Sequence, residues 1–65
     1  MTLADLRYKT HQTQAQVAAR IGITERTYAR WESRKHKARR NYYPSLARAL
    51  RVTVDVIEAV MAGGG

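Results

Sequence analysis

The stretch TQAQVAARIGITERTYARWE, Thr13–Glu32, decides how this chain is read. Thr13 followed by Gln16 is the S/T-x-x-E/Q capping box that opens a helix. Val17, Ala18 and Ile21 then share an inward face at helical spacing. The helix runs through Arg20, and Gly22 follows at once. A glycine there suits the left-handed conformation that ends a helix and that costs other residues roughly 1–2 kcal/mol. Ile23 is an apolar plug and Thr24 a second cap. Glu25–Glu32 forms the next helix, with Tyr28 and Trp31 as its buried stripe at i, i+3. Glu25, Arg26, Thr27, Ala29 and Arg30 are left to its other faces. Two short helices meeting at a tight corner are expected, with Ala18 small enough to let them cross closely.

Upstream, Leu3 and Leu6 share a face and Thr2 can cap, which predicts a first helix over about residues 2–9. Thr10–Gln12 is a polar connector. Downstream, Ser33–Asn41 (SRKHKARRN) has no apolar periodicity and reads as a basic loop. Tyr42-Tyr43-Pro44 opens a fourth helix, since proline is tolerated in a first turn. Its inward stripe of Leu46, Ala47 and Leu50 ends near Leu50. Thr53 caps a fifth helix over roughly Val54–Met61, with Val54, Val56, Ile57 and Val60 as its apolar set. Residues 1–61 thus form one domain, and Ala62–Gly65 reads as a disordered tail. The expected fold class is all-α: a compact five-helix domain containing the corner at Gly22.

Sixty-five residues bound the answer to one domain. So short a chain buries only about 60% of its unfolded surface, so helix packing or oligomerisation must supply the stability. With no cysteine, disulfides and thiolate metal sites are excluded. No apolar run approaches the roughly 20 residues that span a bilayer, and no signal-peptide pattern opens the chain. No membrane association is expected, and a cytoplasmic location is the default. Twelve Lys and Arg face five Asp and Glu, for a net charge of +7. Seven of the twelve (Arg26, Arg30, Arg34, Lys35, Lys37, Arg39 and Arg40) fall in one short interval. A domain with cations concentrated this way points to a polyanion as partner.

Gln14, Ala18, Gly22, Ile23, Tyr28, Trp31 and Glu32 fall at the spacing Q-x-x-x-A-x-x-x-G-Φ-x-x-x-x-Φ-x-x-Φ-E, with Φ apolar or aromatic. Leu46–Asp55, LARALRVTVD, is similar to the junction L-A-x-A-L-G-V-S-x-D. In this order and at this distance, the two motifs resemble the Cro/repressor-type helix-turn-helix family, in particular the small repressor and Cro proteins of lambdoid phages. The resemblance covers about residues 3–60. It implies the lambda repressor-like fold, a homodimer on a double-stranded DNA operator, and a third helix lying in the major groove. Residue by residue, it implies that Gln14 touches a phosphate and that Glu25, Arg26 and Arg30 face base edges. It also implies that Arg7 and Glu32 form a buried ion pair, and that the basic loop straddles the DNA backbone. The chain departs from the family pattern at Arg34 and Arg51, where glycine is usual. Either these arginines adopt a left-handed conformation or the helix ends differ locally.

The chemistry of the residues runs alongside. Arg26 and Arg30, four apart, share one face. An arginine fork matches guanine O6 and N7, worth about 1–3 kcal/mol of discrimination, although phosphate binding or plain exposure would also account for both. Glu25 either accepts from cytosine N4, orients an arginine, or simply compensates the helix dipole. Thr27 either meets a thymine methyl or fills space. Gln14 at a helix start makes a phosphate seat, and Thr24 can cap and touch phosphate together. Arg34, Lys35, Lys37, Arg39 and Arg40 are expected to neutralise phosphates, with Arg39 or Arg40 entering a narrow A·T minor groove. Tyr42, Val54 and Val56 are candidates for a dimer patch or for ordinary core.

No cofactor, metal or small-molecule substrate is expected. His11 and His36 are isolated, and neither a catalytic triad, a paired-carboxylate set nor a phosphate-binding glycine loop is visible. The reading is therefore a non-enzymatic, sequence-specific transcriptional regulator, most simply a repressor. The rivals are an antitoxin that binds DNA and also a toxin, an RNA-binding module, which would want its aromatics exposed for stacking, and a small nuclease.

Overall fold

A computed structural model of the chain describes residues 2–33 and 37–62. Five helices follow one another: α1 (Leu3–Lys9), α2 (Gln14–Ile21), α3 (Glu25–Glu32), α4 (Tyr43–Leu50) and α5 (Val54–Ala62). A single 3-10 turn, Arg40–Tyr42, leads into α4. The expected all-α, five-helix domain with a helix-turn-helix is what the chain forms.

The start signals work as the side chains predict. Thr2 and Asp5 exchange side-chain-to-backbone hydrogen bonds in a capping box, as do Thr13 and Gln16. Thr24 Oγ1 accepts from the Thr27 amide, and Thr53 Oγ1 accepts from the Val56 amide. Each hydroxyl satisfies an amide that its helix leaves unpaired. The stop signals follow local sterics. Gly22 ends α2 at φ 89°, ψ 29°, where its amide and that of Ile23 both donate to the Ala18 carbonyl.

Arg51 resolves one open choice. It takes the left-handed conformation itself, at φ 58°, ψ 44°, and so carries the strain that a glycine would avoid. His11 does the same at φ 57° behind α1. The polar connector gave no sign of this.

The core is a continuous cluster from Leu3 and Leu6 through Val17, Ala18, Tyr28 and Trp31 to Leu46, Ala47, Leu50 and Ile57. α2 lies between α3 and α4, α5 closes over α4, and α1 braces α3. Ala18 is buried in this cluster, 1% exposed. Ile21, Ile23, Val54, Val56 and Val60 are half-buried against this core.

Three local readings need correction. The basic stretch is not a uniform loop: Arg40 and Asn41 belong to the 3-10 turn, and Ala38 is buried within the core cluster. Tyr42 belongs to that turn, and α4 begins at Tyr43. Ala62 is the last residue of α5 and not part of a tail. The expected tail residues 63–65 lie outside the described residues, as do Arg34, Lys35 and His36.

Two substitutions separate conformational strain from packing. Apart from Gly22 itself and its chain neighbours, no atom lies within 4 Å of where a Gly22 Cβ would sit, so Gly22→Ala is penalised by its φ and not by packing. It should lose about 1–2 kcal/mol of unfolding free energy. Arg51→Gly should gain, by about 1 kcal/mol or less once the looser unfolded chain is counted. Urea unfolding midpoints of the two variants against the parent check both signs.

Candidate nucleic-acid interface

α3 has two unlike sides. Tyr28 is fully buried and Trp31 is 8% exposed, with their rings edge-on at 6.3 Å. Glu25, Arg26 and Arg30 are exposed. Glu25 makes no ion pair with either arginine: among the described residues the ion pair is Arg7–Glu32. Both arginine forks therefore point outward without a carboxylate partner in the described chain. Thr27 is half-buried, and its hydroxyl lies 2.9 Å from that of Thr24. Thr24 is exposed and already caps α3 through its hydroxyl oxygen.

The far end of α3 is tied to the start of α2. Arg7 donates from Nε to Glu32 Oε2 at 2.7 Å and from Nη2 to Glu32 Oε1 at 3.1 Å. Its Nη1 donates to the Gln12 carbonyl at 3.1 Å. Gln14 Nε2 donates to Glu32 Oε1 at 2.8 Å. The Arg7 and Glu32 side chains are only 10% and 8% exposed. The buried ion pair implied by the family resemblance is thus present. Gln14, the residue expected at a phosphate, has one amide hydrogen committed to Glu32, which leaves the other and the α2 amides for a ligand.

Burial works to raise the Glu32 carboxyl, but hydrogen bonds from Arg7 and Gln14 lead the opposing effects that outweigh it and hold the group below its ordinary 4.5. Hydrogen bonding to Glu32 raises Arg7 despite its desolvation. Tyr28 is pushed up, first by burial and then by the Glu32 carboxylate beside it. Its hydroxyl is buried and lacks a hydrogen bond of ordinary geometry. The Arg7 guanidinium also covers the ring of Tyr8, 4.6 Å from the centroid, an exposed aromatic that the sequence reading assigned no role.

Beyond α3, Lys37, Arg39 and Arg40 are exposed on either side of buried Ala38. Arg34 and Lys35, also expected at phosphates, lie outside the described residues. The proposed dimer patch is half-buried. Tyr42 packs its ring on Trp31 at 5.2 Å, and Val54 and Val56 lean on the core with part of each side chain open. No group of three or more His, Cys, Asp or Glu among the described residues could hold a metal ion. No described helix is long and apolar enough to cross a membrane.

Two helices at a glycine corner, with the second turning its aromatics inward and its cations outward, define a helix-turn-helix domain. Residues 1–60 match the helix-turn-helix domain family, and the chain belongs to it. Membership makes DNA the ligand class. Neither the curated proteins nor the solved structures yield a match.

The Glu32 carboxyl sets a pH dependence. Its pKa is lower folded than unfolded, so the pairing contributes its full stability above pH 4.5 and loses it as pH falls through the folded value. The urea midpoint should be level near neutral pH and drop on acidification below about pH 4.5. Glu32→Gln should start from a lower midpoint and fall less steeply. Asp5, lowered by its hydrogen bonds to Thr2, keeps some acid sensitivity in the variant.

Proposed function

We propose that the chain is a sequence-specific regulator of transcription of the Cro/repressor kind, acting in the cytoplasm and binding an operator in duplex DNA with α3 in the major groove. One observation carries this reading: α3 holds Arg26 and Arg30 on its open side while Tyr28 and Trp31 are shut inside. A short helix with exposed forks and an anchored back has the width and chemistry of a major-groove reader.

In this reading Arg26 and Arg30 take guanine edges, and Glu25, which makes no ion pair with either arginine, accepts from cytosine N4. Thr27 has its hydroxyl engaged with Thr24, so it offers its methyl group to thymine. Gln14, Thr24 and the cations Arg34, Lys35, Lys37, Arg39 and Arg40 hold phosphates, which fixes register but carries no sequence information. Two copies meet through Tyr42, Val54 and Val56, so that two weak half-site readers act as one through effective concentration. Regulation is by occupancy: a bound dimer blocks polymerase at the promoter it covers. This requires no catalysis.

Selection of bound sites from random duplex DNA, followed by titration of the selected site, tests the division of labour. Arg26→Ala should relax preference at one base pair, at a cost of about 1–3 kcal/mol on the best site. Lys37→Ala should weaken every sequence about equally. Equal loss on all sequences from both changes would refute the proposal. With about five phosphates neutralised per chain, log K should fall against log salt with a slope near −4 to −5 per half-site.

A further inference from the structure

The basic segment after α3 is read most simply as a solvated run that wraps the DNA by charge alone. Its burial pattern says otherwise. Ala38 is 6% exposed and belongs to the same core cluster as Trp31 and Leu46. Its neighbours Lys37 and Arg39 are exposed, as is Arg40. Directly behind them the chain tightens into the 3-10 turn, and Tyr42 lays its ring on Trp31. Lys37 and Arg40, on either side of the buried methyl, line one groove of about 310 Å³ together with Tyr43 and Glu58. Residues 37–42 are therefore held at two points, a methyl in the core and a ring on the back of α3.

We infer that Ala38 is a positioning residue for DNA binding: its buried methyl fixes the backbone from which Lys37, Arg39 and Arg40 reach phosphates. The inference rests on the DNA-binding reading above. The physical basis is preorganisation. Ordering a free segment at the moment of binding costs conformational entropy for every residue fixed, and a segment already fixed by the core avoids that cost. Alanine suits the position because its methyl is buried with the core while its neighbours on either side stay exposed. Longer apolar residues would lift the segment off the core, and glycine would release it.

The test compares Ala38→Gly, Ala38→Ser and Ala49→Gly with the parent on a DNA duplex of mixed sequence, under conditions where each protein is fully folded by circular dichroism. Mixed-sequence DNA isolates the phosphate contacts, which dominate non-specific binding. Ala49 is equally buried, at 6%, but lies in the last turn of α4, at the opposite end of that helix from the turn that leads into it. A glycine there lowers stability without loosening the basic segment. Ala38→Gly should weaken binding roughly three- to tenfold. Ala38→Ser, which restores a small side chain, should recover most of the loss, and Ala49→Gly should lower the melting temperature with little change in affinity. Parental affinity for Ala38→Gly, or a loss no greater than that of Ala49→Gly, overturns the inference. Lys37→Ala and Arg39→Ala run alongside: if they too bind as the parent does, the failure belongs to the proposed interface and not to Ala38 alone.

Discussion

The geometry of the domain depends on one closed set of hydrogen bonds around Arg7 and Glu32. A guanidinium and a carboxylate withdrawn from water are unfavourable unless their donors and acceptors are met. Here Arg7 engages Nε, Nη1 and Nη2, and Glu32 takes a further bond from Gln14. The partners come from α1, the connector after it, the first residue of α2 and the last of α3. An ion pair of this kind contributes little net stability over an apolar replacement of the same shape. It acts on alternatives: any other placement of α1 or any other tilt of α3 leaves a charge buried without a partner. The two outer ends of the helix-turn-helix are thereby held in one relation.

A second tie runs through aromatic rings. Tyr28 meets Trp31 edge-on, and Trp31 meets Tyr42 at a tilt. Such pairs add about 0.5–1.5 kcal/mol each beyond the area they bury. They also couple elements distant in sequence: the back of α3 becomes the seat of the turn that follows the basic segment. The back of α3 and the turn before α4 are thereby joined through Trp31 and Tyr42.

Much of this was legible in the sequence because it is local. Threonine caps at Thr2, Thr13, Thr24 and Thr53, the glycine corner, and the Tyr28–Trp31 stripe each follow from sterics within one or two turns of chain. What was missed is tertiary or lacks a compositional mark. Ala38 is the lone apolar residue in a cationic run, and one methyl makes no periodicity. Its isolation was nonetheless a signal, since a purely solvated basic stretch has no use for it. His11 adopts a positive φ with no glycine to announce it. Gln12 Nε2 reaches the Ala49 carbonyl, 37 residues on, a bond no local pattern encodes. The Arg7–Glu32 pair, 25 residues apart, was expected from family resemblance and not from spacing. For Arg51 the pattern offered two outcomes, and only the backbone could choose between strain and a changed helix end.

None of the five helices exceeds nine residues. Helices shorter than about 12–15 residues barely persist alone in water, so α3 has no existence apart from the closed core. Its outward side, with Arg26 and Arg30, therefore persists only as long as the core that holds the helix. Apparent affinity then scales with the folded fraction, and lesions far from any nucleotide become regulatory lesions. A change in the Leu46 or Ile57 packing that left about half the chains unfolded would act on occupancy like a twofold dilution of the protein. For a domain this small, heat, proteolysis and dosage act on the same quantity.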